Sequence, residues 1–98
     1  MSETSDVSHR KFYVYILYSY KDGGFYIGFT DNLKRRLTQH ANEEVPSTRK
    51  RLPFKLIHYE YFVNEDDAKA REKFLKSGFG RKQWNKILKN TLTIINPK

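Results

Sequence analysis

Tyr15, Tyr26, Arg36 and His40 fall within one stretch, YVYILYSYKDGGFYIGFTDNLKRRLTQH, which runs from Tyr13 to His40; a lone carboxylate, Glu72, follows much later. Glu72 lies on the inward surface of a predicted helix, where a carboxylate is costly unless it is paired or binds a metal. A hard cation such as Mg²⁺ takes oxygen ligands, and one carboxylate plus waters and a substrate phosphate makes an ordinary shell. Arg36 can grip a phosphate through its planar fork. His40 can take or give a proton near neutral pH. A tyrosine hydroxyl titrates near ~10, so Tyr15 or Tyr26 could serve as a base only beside a metal or cation. Together these groups suit metal-dependent work on a phosphodiester.

Each also has an ordinary reading. Glu72 can pair along its own helix with Lys76 at i+4 or Lys69 at i−3. Arg36 can pair with Asp31 or Asp67, His40 can bond backbone at a helix edge, and the tyrosines can simply pack. The basic run Thr48 to Arg51 would contact backbone phosphates or form a solvated loop. Residue types alone leave these alternatives open.

The elements that must position these side chains are legible. Phe12 to Tyr18 is β-branched or aromatic on both faces, as in a central strand covered on both sides. Lys21-Asp22-Gly23-Gly24 is a hairpin turn, because Asp-Gly and Gly-Gly supply positive φ. Phe25 to Thr30 returns as a strand, with Tyr26, Gly28 and Thr30 on one face. Gly28 removes a side chain beside Tyr26 and suggests a bulge or a close approach. Thr30 or Asp31 can cap a helix over about 32 to 42. At about 100° per residue, Leu37 lies about 40° from Leu33, His40 about 20° and Arg36 about 60° to the other side. Arg36 and His40 therefore share the edge of the buried face, and Lys34 and Arg35 point elsewhere. Residues 42–53 read as loop, and Phe54 to Phe62 as a third strand. Asn64 caps a second helix, with Asp67 in the capping-box position, running to about Ser77. Gly78 suits the position just past its end. Gly80 then separates it from a last helix over about 81 to 90, where Trp84, Ile87 and Leu88 repeat. Residues from 91 onward read as tail.

The chain has 98 residues and fits one domain. Its seven Phe and seven Tyr, within 38% apolar residues, argue for a core and against disorder. No cysteine is present, which excludes disulfides and thiolate zinc sites. Its three histidines lack zinc-ligand spacing, and no Gly-rich phosphate loop or nucleophile constellation is visible. No signal sequence or membrane span is expected, so the default location is cytoplasmic. The net charge of +8 attracts polyanions, nucleic acid first. From Lys69 to Lys98 there are nine Lys or Arg and a single acid, Glu72. Lys34, Arg35, Arg49, Lys50, Arg51, Lys76, Arg81 and Lys82 are the candidate nucleic-acid contacts.

The segments YVYIL, FYIGFT, NLKRRLTQH and AREKFLKSG together resemble the GIY-YIG nucleases. Tyr13-Val14-Tyr15 and Tyr26-Ile27-Gly28 stand in place of the two name motifs, followed by Arg36, His40 and Glu72. The resemblance runs from Phe12 to about Asn90, and is nearest to small, single-domain bacterial members. It implies an α+β fold, a three-stranded antiparallel sheet flanked by helices, over residues 11–92. A flexible tail over 1–10 and a C-terminal tail over 93–98 would flank it. It implies cleavage of a DNA phosphodiester by water, dependent on Mg²⁺ or Mn²⁺. Glu72 would hold the metal and Arg36 would stabilise the scissile phosphate. Tyr15 or His40 would help deprotonate the water, and Tyr26 would orient it or bond the phosphate.

Two departures stand out. Tyr13 replaces the first glycine of the name motif. An Asn that many members carry after the metal-binding Glu has Asn85 as its nearest counterpart. No separate DNA-reading domain is present, which predicts low sequence specificity or structure selectivity, in repair or recombination. RNA stays open as a substrate. The competing readings are a nucleic-acid-binding module without turnover and an adaptor of a larger repair complex.

Overall fold

A computed structural model describes residues 10–96. The strands β1 (Phe12–Ser19), β2 (Phe25–Thr30) and β3 (Phe54–Phe62) form an antiparallel sheet in the order β2-β1-β3. The helices are α1 (Leu33–Ala41), α2 (Glu65–Lys76), α3 (Gly78–Ile87) and α4 (Lys89–Ile95). The expected α+β fold class is the observed one, and β1 is the central strand.

Alternation along β1 assigns its side chains to two faces. Phe12, Val14 and Ile16 point to one and pack with Ile27, Ala68, Leu75, Trp84 and Leu88. Burying each large apolar side chain contributes about 1.5–3 kcal/mol. Trp84 is satisfied as well as buried, since its Nε1 donates to the Leu75 carbonyl at 3.1 Å. Arg71 of α2 ties β3 to this layer by donating to both carboxylate oxygens of Glu60, at 2.8 and 3.1 Å. Burial raises the Glu60 pKa, but the hydrogen bonds and charges of Arg71 and His58 outweigh it and leave the group below its usual range. The β1–β3 register slips between Ile16 and Leu17, which oppose His58 and Leu56, so Ile57 is an inserted residue and joins the core.

Tyr13, Tyr15, Leu17 and Ser19 point to the opposite face. The hairpin turn is as expected: Gly23 takes φ +73 and the Asp22 carboxylate accepts from the Gly24 amide at 2.7 Å.

Several boundaries differ from the sequence reading. The N-cap of α1 is Asn32, not Thr30 or Asp31; its side chain accepts from the Arg35 amide, while the Thr30 hydroxyl accepts from the Asn32 amide. Gly78 does not stand free past a helix end, because it opens α3. Ser77 makes the junction, its hydroxyl donating to the Phe74 carbonyl and accepting from the Gly80 amide. Gly80 is not a break between helices. It lies inside α3 against α2, where a Cβ would overlap the Phe74 carbonyl and the Leu75 Cα. The single last helix over 81–90 is two helices meeting at Leu88, and the segment read as tail is helical to Ile95, with Leu92 on the core. Residues 1–9, most of the expected N-terminal tail, and residues 97–98 lie outside the described ones.

Candidate active site

Tyr15 sits in the middle of the central strand and is fully buried. Its backbone partner across the sheet is Gly28. A Cβ at position 28 would overlap the Tyr15 ring and hydroxyl, so the glycine is the close approach its sequence context suggested. The phenol fills that space and stops at His40, where its hydroxyl and Nε2 are hydrogen-bonded at 2.8 Å. Tyr26 flanks both, with ring centroids 6.2 Å from Tyr15 and 5.2 Å from His40.

His40 is the one buried residue of α1. It does not bond backbone, the alternative its position allowed. Its Nδ1 lies 2.8 Å from the hydroxyl of Thr48, which is itself fully buried. Thr48 can donate to the Val45 carbonyl at 3.4 Å. Its lone pair then accepts from Nδ1–H, and the network assigns a free Nε2 lone pair facing the Tyr15 O–H. Burial, then the positive charge of Arg36, holds the His40 pKa below its ordinary value, so the ring is neutral. Burial, then Tyr26, pushes the Tyr15 phenol well above its ordinary value, with Glu72 adding to the rise and Arg36 opposing it.

Arg36 and Glu72 therefore act on Tyr15 from two different helices. Arg36 pairs with neither Asp31 nor Asp67 among the described residues. Asp31 is taken by Arg35 at 2.7 Å, and the buried Nε of Arg36 has no hydrogen-bond partner. An unmet buried donor costs about 1–3 kcal/mol. Glu72 is about a quarter exposed (24%) and pairs with Lys76 at 3.0 Å, the ordinary helix pair. Lys69 turns to Glu65 instead. The structure thus brings Tyr15, Tyr26 and His40 into contact from β1, β2 and α1, with Arg36 of α1 and Glu72 of α2 near enough for their charges to act on Tyr15.

The donor set can be tested against a metal. Among the described residues no three His, Cys, Asp or Glu side chains gather. The site offers one hard oxygen ligand, Glu72, and one guanidinium, Arg36, both acting electrostatically on Tyr15. That fits a Mg²⁺-type ion, which keeps waters and shares itself with a substrate phosphate. It does not fit a tetrahedral zinc centre.

The basic candidates scatter. Lys34, Arg35, Arg49 and Lys50 are exposed on α1 and the loop after it. Arg51 is committed to Asp22, at 2.7 and 3.3 Å, and holds its carboxyl down at about 2. Arg81 and Lys82 line a separate depression on α3 with Phe79, Lys86 and Lys89. Asn85 is exposed there and donates to the Arg81 carbonyl of its own helix at 2.7 Å. Sequence reasoning missed the role of Thr48, which it grouped with the basic run.

Known proteins resemble the chain over most of its length. A family model described as the GIY-YIG catalytic domain matches residues 11–87. The chain is 40% identical over 91 residues to the "UPF0213 protein in ldhD 5′ region" of Pediococcus acidilactici, covering 90% of this chain and 91% of that one. It is 38% identical over 73 residues to a UPF0213 protein of Limosilactobacillus reuteri, covering 71% and 75%. Among solved structures, a UPF0213 protein of Bacillus halodurans determined by solution NMR superposes with a TM-score of 0.51 at 34% identity, covering 79% and 84%. By the family match over residues 11–87 and by its relative at 40% identity, the chain belongs to the GIY-YIG family.

Proposed function

We propose that this protein is a metal-dependent endonuclease that hydrolyses DNA phosphodiester bonds, with low sequence specificity or selectivity for a DNA structure. The observation that carries the proposal is the Tyr15–His40 hydrogen bond, set in the fields of Arg36 and Glu72. The family is one of nucleases, which implies a nucleic-acid substrate and, in general, a divalent metal.

The chain's own residues divide the work. Tyr15, with its raised pKa, cannot hold a phenolate unaided at neutral pH. It acts instead as a relay, passing its proton to the neutral His40 Nε2 as it accepts one from the attacking water. Thr48 keeps the imidazole in the tautomer that can receive it. Arg36 would stabilise the charge growing on the phosphoryl oxygens with its guanidinium, a stabilisation strongest where water is excluded. Tyr26 flanks the pair and orients the water or bonds the phosphate. Glu72 would hold a Mg²⁺ or Mn²⁺ ion, releasing Lys76, and the ion would act as Lewis acid and stabilise the leaving oxygen.

We place the domain over residues 11–92 and the protein in the cytoplasm, in DNA repair or recombination. No helix among the described residues is long and apolar enough to cross a membrane. The exposed cations Lys34, Arg49, Lys50 and Lys82 would neutralise backbone phosphates, which makes binding weaken as salt rises.

One observation favours a binding module without turnover: the Glu72–Lys76 pair satisfies the carboxylate by itself. Incubating labelled single-stranded, duplex and branched DNA with Mg²⁺ or Mn²⁺ separates the two readings. Cutting that EDTA abolishes supports the enzyme. Binding without cutting on every substrate supports the module.

A further inference from the structure

The face of the sheet that carries Tyr15 is not closed by α1. Beside Tyr15 on β3 stands Tyr59, and beside Tyr13 stands Tyr61, as direct cross-strand partners. Both β3 tyrosines are about half exposed, at 53% and 49%. Tyr13 meets the two rings at centroid distances of 6.1 and 5.7 Å. Exposed tyrosines in this number are not explained by the core, which lies on the other face.

A groove of about 500 Å³ opens between these rings and α1, with Tyr13, Tyr59, Leu33 and Leu37 among its walls and Lys11 and Lys34 at its rim. Its volume is in the range of small-ligand sites. Lys11 and Lys34 are in no ion pair among the described residues, and the Asp31 that also borders the groove is neutralised by Arg35 at 2.7 Å. The wall is aromatic and the rim cationic. Tyr59 is the β3 neighbour of Tyr15, while the Tyr15 phenol leans the other way, over Gly28 of β2, so the groove is a surface separate from the Tyr15 hydroxyl.

We infer that this groove takes an unpaired nucleobase of a bound nucleic-acid strand, so that the strand is single-stranded where it crosses Tyr13 and Tyr59. The inference rests on the nuclease reading for a nucleic-acid ligand and adds the kind of strand that fits. A base stacks on Tyr13 and Tyr59, while Lys11 and Lys34 contact the flanking phosphates. Stacking of this kind tolerates any base, because each has a π face. A paired base has both faces covered by its neighbours and cannot enter the slot without leaving the duplex.

Fluorescence anisotropy in EDTA tests this without any cutting. The probes are a short labelled single strand, an abasic strand of equal length and charge, and a blunt duplex. The wild-type protein should bind the base-bearing strand at least about tenfold tighter than the abasic one. It should also prefer that strand to the duplex. Tyr59→Ala should bring the single-strand to abasic ratio toward one, and Tyr59→Phe, which keeps the ring, should preserve it. Equal binding of base-bearing and abasic strands by the wild type overturns the inference, as does tighter binding of duplex. So does an unchanged ratio in a folded Tyr59→Ala protein; should that variant unfold, the wild-type comparison decides alone. A protein that stacks bases but never cuts loses the nuclease reading and keeps this one, and a protein that cuts without base-dependent binding does the reverse.

Discussion

Tyr15 and Gly28 face each other across β1 and β2, and the phenol of one occupies the space in which a side chain of the other would stand. The pairing of a large residue with none is what lets the hydroxyl reach His40. Gly28→Ala should therefore displace the ring, break the 2.8 Å hydrogen bond and destabilise the fold by about 1–3 kcal/mol. Urea unfolding measures the stability, and loss of cleavage in protein that remains folded measures the site. Unchanged stability and activity would show that the ring yields freely.

Thr48 holds the other ring nitrogen of His40, with its hydroxyl 2.8 Å from Nδ1. Thr48→Val keeps the shape but leaves His40 Nδ1 without its partner, which should cost about 1–3 kcal/mol in thermal or chemical unfolding. Thr48→Ser should restore most of it. The valine variant should also lose cleavage at neutral pH, because its imidazole is no longer held in one tautomer.

The depressed pKa of His40 gives a pH dependence with a defined sign. The folded protein holds this ring neutral to a lower pH than the unfolded chain, whose histidine titrates near ~6.5. Below that value the unfolded state binds the extra proton first. The stability from neutral His40 is thus fully present above about 6.5 and is lost as pH falls. Glu60, also depressed, adds a loss in the same direction at more acid pH. Cleavage should fall with His40 protonation, since a charged ring cannot accept the Tyr15 proton. Arg36→Gln removes one cause of the depression, so the His40 ring signals in an NMR titration should shift their midpoint upward. A midpoint that stays put would show that burial alone sets it.

The two glycines around α3 should respond in opposite ways. At Gly78 nothing lies within 4 Å of an added Cβ, and the residue is helical, so Gly78→Ala should be neutral or stabilising by about 0.5–1 kcal/mol. At Gly80 the clash is with the backbone of α2, which cannot rotate away, so Gly80→Ala should reach or exceed the upper end of about 1–3 kcal/mol. Thermal unfolding of the two variants side by side checks the contrast.

That contrast also marks where the sequence was readable. Asn64 and Asp67, Gly23 and the alternation of β2 speak through neighbours a few residues away, and each was legible. Arg36 and His40 shared a helix edge by rotation alone. Gly80 was read as a break because its reason, contact with Phe74, lies in how two helices pack. The same holds for Arg51, which looked free for phosphate and instead reaches from the loop before β3 to Asp22 in the β1–β2 turn. Thr48 carried no signal of its own, because its contact with His40 is made by a turn whose path no periodicity encodes. The tyrosines of β3 read as an ordinary strand until the register set them beside Tyr13 and Tyr15.

In the proposed function, Glu72 holds the metal with which Tyr15, His40 and Arg36 cut a phosphodiester. Single-turnover cleavage of labelled DNA by the wild type and by Glu72→Gln, at saturating Mg²⁺ or Mn²⁺, tests it most directly. Loss of the ion's charge stabilisation, several kcal/mol, predicts a rate lower by about two orders of magnitude or more, while DNA binding in EDTA changes little. Cleavage by Glu72→Gln at the wild-type rate would contradict the account.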